Sequence, residues 1–247
     1  MKNLNLSLFT ILLFTSLSST ATNQTIDSFG KAKKTLEIEV YQDHRVTLYC
    51  SADFDSKKIV TPPDGFHTDK YVKRSKKIEW EHVVPAENFG KTFVEWREGD
   101  NQCVNSKGKS FKGRKCAEKV NNEYRYMQAD MFNLYPAIGA VNALRSNYNF
   151  TMLPDEKSDF GSCDMKIENR KAEPPESARG RIARTYLYME STYSRYSMSK
   201  SQRQLMNAWD KMYPVVQWEC DRAKRITALQ GNMNNIVQNR CVDKKLW

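Results

Sequence analysis

The chain has 247 residues, of which 40% are hydrophobic, 28% charged and 11% aromatic. With a mean hydropathy of -0.71, this excludes a polytopic membrane protein and a disordered chain, and leaves one large domain or two small ones with a real core. Thirty-nine Lys and Arg against 29 Asp and Glu give a formal charge of +10, which points to anionic partners such as nucleic acid, anionic lipid or acidic polysaccharide.

The N-terminus reads as a secretory signal peptide over residues 1–21. Lys2 supplies a positive start, the apolar run from Leu4 to Leu17 is too short to span a bilayer comfortably, and Ser19 and Ala21 are the small residues of a cleavage site. The mature domain is then expected over 22–247, exported to the periplasm or beyond the cell. No later segment approaches a membrane span in length. All six cysteines (Cys50, Cys103, Cys116, Cys163, Cys220 and Cys241) lie in that domain. An even count in an exported chain implies disulfides, and the lack of C-x-x-C spacing argues against zinc.

In the mature chain, Leu36, Ile38 and Val40 alternate as in a strand or short helix. The segment TPPDG (61–65) is a turn. KKIEWEHVVP (76–85) alternates Ile78, Trp80, His82 and Val84 before Pro85 and predicts a strand. Residues 97–116 are polar, basic and Gly-bearing, as in a long loop. From Asn121 or Asn122 the residues Tyr124, Met127, Met131 and Leu134 recur at helical spacing, and Pro136 ends that helix near Tyr135. Residues 136–150 read as irregular. Further helices are predicted over 178–193, after the capping box Ser199-x-x-Gln202, and from Val215 to a stop at Gly231. The expectation is an α+β fold in one mostly helical domain.

There are three histidines. His44 and His67 stand in polar surroundings and read as structural or exposed. His82 follows Glu81 at the end of the predicted strand, which places an imidazole beside a carboxylate. The string IEWEHVVPAENFG (78–90) resembles the signature of the endonuclease I family of bacterial periplasmic and extracellular nucleases. In the same order, GRKC (113–116), MQADMFNLYPAIGAVNALRSNYNF (127–150), EPPESARGRIARTYLYM (173–189), NAWDKMYPV (207–215) and WECDRAKRITALQGN (218–232) continue the resemblance over nearly the whole mature chain.

The resemblance implies a ββα-metal (His-Me finger) site and a sequence-nonspecific endonuclease acting on DNA, and on RNA as well, that leaves 5′-phosphate ends. It implies Glu81 as a metal ligand, His82 as general base, Asn133 (from the family's N-L-x-P-A string) as second metal ligand, and Arg114 as the clamp on the scissile phosphate. Mg²⁺ is the implied cofactor, with Mn²⁺ or Ca²⁺ as alternatives. These residue types suit the chemistry, because attack on a phosphodiester builds negative charge that a hard cation neutralises while a neutral imidazole takes a proton from water. The implied disulfides are Cys50–Cys163, Cys103–Cys116 and Cys220–Cys241.

Four positions depart from the family pattern: Gln128, where an acid is common, Phe132, where a His is usual, and Met233 and Asn235 in GNMNN (231–235), where His and Pro are usual; one of the family's disulfides is missing as well. A basic groove is expected from Lys107, Lys109, Lys112, Arg114 and Lys115 on the loop and from Arg145, Arg179, Arg181 and Arg184 beyond it; Arg145, Lys112 and Lys115 are the leading substrate-binding candidates. No base-reading element is visible, so contacts fall on backbone phosphates. No protein partner is evident, and a monomer is expected. The competing reading is an exported nucleic-acid or polyanion binder without activity, against which the intact Glu81-His82, Asn133 and Arg114 set argues.

Overall fold

A computed structural model describes residues 22–247; the leader read over residues 1–21 lies outside the described residues. The first element is α1 (Phe29–Thr35), capped by Ser28 and prolonged by a π-helical turn over Leu36–Val40. The alternation at 36–40 therefore belongs to a helical turn, with Leu36 and Val40 buried four residues apart. A small antiparallel pair follows, β1 (Asp53–Phe54) with β2 (Val60–Thr61).

The pair that organises the molecule is β3 (Ile78–His82) with β4 (Leu134–Ile138). They run antiparallel in the register Ile78↔Ile138 to His82↔Leu134. Four short helices separate them: α2 (Ala86–Gly90), α3 (Val94–Arg97), α4 (Arg114–Val120) and α5 (Asn122–Gln128). The strand expected at 76–85 is β3, stopped before Pro85. The helix expected up to Tyr135 ends at Gln128 instead, because the Asp130 side chain accepts from Phe132 N and opens a separate 3₁₀ turn at Met131–Asn133. Leu134 and Tyr135 then enter β4. Pro136, which has no N–H, is accommodated there, and its carbonyl accepts from Leu48 N at 2.8 Å.

Helix α6 (Gly139–Arg145) begins as β4 ends, in a stretch that the sequence pattern left irregular. Three short strands form a third sheet in the order β5 (Asn149–Phe150), β7 (Lys171–Glu173), β6 (Lys166–Glu168). The C-terminal half is helical as expected: α7 (Glu176–Thr192), α8 (Lys200–Met212), whose cap Ser199 accepts from Gln202 N, and α9 (Gln217–Gln230). Gly231 ends α9 at φ +85°, a left-handed conformation that glycine adopts without strain. A further helix, α10 (Asn235–Asp243), was not legible from the periodicity; Asn234 caps it through Val237 N.

Helix α7 runs through the core, burying Ile182, Ala183, Tyr186 and Met189. Its two buried arginines tie elements together. Arg184 meets Glu219 of α9 at 2.6 and 2.7 Å and Asp210 of α8 at 3.2 Å. Arg179 pairs with Glu173 of β7 at 2.7 Å. The three disulfides are Cys50–Cys163, Cys103–Cys116 and Cys220–Cys241. The second joins the basic loop to the first turns of α4, and the third joins α9 to α10. No helix among the described residues is long and apolar enough to cross a membrane.

Candidate active site

A cleft of about 960 Å³ opens where β3, α1, α4 and α6 meet, lined by Glu79, Glu81, His82, Arg114 and Asn142 together with Phe29, Lys33 and Lys34 of α1. Adjacent residues of a regular strand face opposite ways, yet Glu81 and His82 share this cleft. The chain leaves the strand right after His82, and side chains hold the turn. Arg145 donates to the carbonyls of His82 (2.9 Å) and Val83 (2.6 Å). Asn133 brackets Val84, accepting from its N–H at 2.8 Å and donating to its carbonyl at 2.9 Å. Three consecutive carbonyls that a strand would have paired are thus satisfied by two side chains.

His82 is buried, with 8% of the residue exposed. Its Nε2 lies 2.8 Å from the Gln128 carbonyl. A carbonyl only accepts, so Nε2 carries the proton of the neutral ring and Nδ1 is left as an acceptor. Phe29 lies against the ring with centroids 4.7 Å apart. Burial, followed by the nearby Arg114 charge, pushes the imidazole down to about 3, so the ring is neutral at physiological pH.

That shift has a thermodynamic consequence. The unfolded chain protonates this histidine near 6.5 and the folded chain only near 3, so stability is full above about pH 6.5 and declines as pH falls toward 3. The slope attributable to the ring is about 1.4 kcal/mol per pH unit. In urea titrations across that window, His82→Ala is expected to lose less stability on acidification than the parent. Equal acid sensitivity would mean that the ring is not held neutral.

Glu81 is buried. Its Oε1 accepts from Tyr49 Oη at 2.6 Å and Arg145 Nη1 at 2.5 Å, and among the described residues none donates to Oε2. Burial pushes its carboxyl above the usual range, opposed by Arg145 and Tyr49. Arg114 opens α4. Its Nε donates to Gln128 Oε1 at 3.3 Å, and its guanidinium stacks 5.1 Å from the centre of the Phe29 ring, as does Lys33 at 4.5 Å. The buried Nη2 of Arg114 and Nε2 of Gln128 have no hydrogen-bond partner among the described residues, which leaves two donors open to a water or an anion.

Several expectations are corrected here. Asn133 is fully buried, and both ends of its amide are spent on Val84, so it shapes the strand end and offers no oxygen to the cleft. The asparagine that faces the cleft is Asn142 on α6. Arg145 is buried at 0% exposure against Glu81 and cannot meet solvent or substrate. Arg179 and Arg184 are likewise buried in ion pairs, and Arg181 is half-buried, donating to the carbonyls of Leu48 and Ser177. Lys112 and Lys115 are exposed beside Arg114 but do not line the cleft. Its free cations come instead from α1, an element too short to be read from periodicity.

The departures from the family pattern find places as well. Phe132 packs in the core against Tyr188, Met233 is surface-exposed, and Gln128 holds both His82 and Arg114. His44 stacks on Trp218, and His67 is exposed; neither lines the cleft.

The family model described as Endonuclease I matches residues 10–241. The chain belongs to the endonuclease I family. It is 39% identical to an extracellular deoxyribonuclease of Aeromonas hydrophila, covering 87% of this chain and 90% of that one. A periplasmic deoxyribonuclease of the same species is 37% identical, covering 96% and 97%. Endonuclease-1 of Buchnera aphidicola subsp. Acyrthosiphon pisum (strain APS) is 36% identical, covering 90% and 84%. Within this endonuclease I chain, Glu81, His82 and Arg114 of the motifs quoted above meet at one cleft, while Asn133 does not join them.

The donor set at the cleft fits a hard divalent cation. Glu81 Oε2 is free, and so is the amide oxygen of Asn142, which no described residue donates to. Among the described residues no cluster of three His, Cys, Asp or Glu side chains exists, so most of a cation's shell would be water, as Mg²⁺ prefers.

Proposed function

We propose that this protein is an exported, sequence-nonspecific endonuclease that hydrolyses phosphodiester bonds of DNA, and of RNA, with one divalent metal ion. Residues 1–21 are its export signal and 22–247 the nuclease domain, acting as a monomer in the periplasm or outside the cell. The β3–β4–α6 unit serves as its ββα-metal motif. The observation that carries this reading is the convergence on one cleft of a neutral imidazole with a free Nδ1, a carboxylate with a free oxygen and a guanidinium with a free buried Nη2.

In this account Glu81 and Asn142 would hold the cation, Mg²⁺ first, with Mn²⁺ or Ca²⁺ as alternatives. When bound, it supplies neutralisation of the charge that builds on the phosphoryl and leaving oxygens. His82, fixed through Nε2–H by the Gln128 carbonyl, turns Nδ1 toward the attacking water and takes its proton. Arg114 presents a planar fork to the scissile phosphate, so Arg114→Lys would not be conservative. Lys33 and Lys34 draw the adjoining phosphates to the cleft mouth. Cleavage on this line leaves a 5′-phosphate and a 3′-hydroxyl.

Supercoiled plasmid incubated with the mature protein and Mg²⁺ is expected to be nicked, linearised and then degraded to fragments that ligate without prior phosphorylation. EDTA should stop the reaction. DNA binding without cleavage in Mg²⁺ would instead favour an inactive binder.

A further inference from the structure

The cleft holds a carboxylate that the reaction above leaves without a task. Glu79 precedes Glu81 by two residues on β3, so the two face the same side of the strand. Its Oε1 accepts from Arg74 Nε at 2.7 Å, and its Oε2 accepts from Arg74 Nη2 at 2.5 Å and from Asn142 Nδ2 at 2.8 Å. The Arg74–Glu79 pair leaves 43% and 33% of the side chains exposed, and such pairs add little to stability. An acid beside a phosphate site also repels substrate. Neither stability nor DNA binding accounts for it.

Its geometry toward Asn142 is built into the backbone. A Cβ at Gly139, the first residue of α6, would lie 2.5 Å from the Arg74 carbonyl oxygen and 3.0 Å from Glu79 Oε1. Helix α6 therefore reaches Glu79 only because residue 139 has no side chain. A carboxylate has no donor to offer, so the neighbouring amide must turn its NH₂ toward Glu79. Its oxygen then faces the opposite way, where no described residue donates to it. Without that acceptor, two amide orientations related by a half-turn compete, and one of them aims an NH₂ at the cation.

We infer that Glu79 is a positioning residue: it locks the amide of Asn142 with the oxygen toward the cation, while Arg74 holds and neutralises Glu79. This rests on the assignment of Asn142 to the cation made above. Removing an outer hydrogen-bond partner of a metal ligand typically weakens the metal about 10–100-fold.

The test is Mn²⁺ binding to the DNA-free mature protein, measured from the electron paramagnetic resonance of free Mn²⁺. Glu79→Leu should weaken binding about 10–100-fold. Glu79→Gln keeps the shape and should weaken it too, because its oxygen stays with Arg74 and its NH₂ forces the Asn142 amide to turn over. In an Asn142→Asp background both terminal atoms are oxygens and orientation no longer matters, so neither change at Glu79 should cost affinity there.

Equal losses in both backgrounds would mean that Glu79 acts through its charge, and no loss in either would mean that it does not act on the cation; each overturns the inference. Glu79→Gln carries the test if Glu79→Leu does not fold. Unchanged Mn²⁺ binding in Glu81→Ala would be a different failure, that of the cation site itself.

Discussion

His82→Ala is expected to lower the rate of plasmid cleavage by about 10²–10⁴-fold, the usual worth of a positioned general base, while duplex binding in EDTA stays at the parent level. The two effects separate because binding draws on Arg114, Lys33 and Lys34, none of which is hydrogen-bonded to the ring. Its Nε2 is tied to the Gln128 carbonyl, so losing it leaves one buried acceptor unpaired, at a cost of about 1–3 kcal/mol. A mobility-shift titration beside a cleavage time course makes the comparison. Parallel loss of binding and cleavage would make His82 a structural residue.

Arg145→Ala is expected to be the most destabilising single change near the site, by about 3–5 kcal/mol, because it strands the buried Glu81 carboxylate without its cation partner. It also leaves the His82 and Val83 carbonyls without donors, and with them the turn that lets Glu81 and His82 share a cleft. Arg145→Lys should restore little of this, since one ammonium cannot reproduce a fork reaching Glu81, His82 and Val83 together. Urea unfolding measures the effect. An arginine reading phosphates at the surface would behave oppositely, leaving stability within about 0.5 kcal/mol and raising KM for DNA.

Arg145 illustrates where a sequence stops informing. A lone arginine in SNYNF-like surroundings reads as a surface cation; what buries it is Glu81, 64 residues earlier. Asn133 and Asn142 are the same case. Both are asparagines near the β4 segment, and only the tertiary fold decides that one spends its amide on Val84 while the other faces the cleft. By contrast β3, α7, α8 and α9 were legible, because alternation, long helical spacing, Ser199 and Gly231 are local signals. Elements of seven residues such as α1 and α6 bury too few side chains to show a period, and β4 carries a proline that argues against a strand until its partner β3 is known.

The account rests on one carboxylate, one amide and one imidazole sharing a cation and a phosphate. Crystals of the His82→Ala protein with a short DNA duplex, soaked in Mn²⁺ and measured at its absorption edge, test this most directly. The account predicts an anomalous peak touching both Glu81 Oε2 and Asn142 Oδ1, with the scissile phosphate beside it and Arg114 on that phosphate. A Mn²⁺ peak elsewhere in the molecule, or DNA lying away from this cleft, would contradict it.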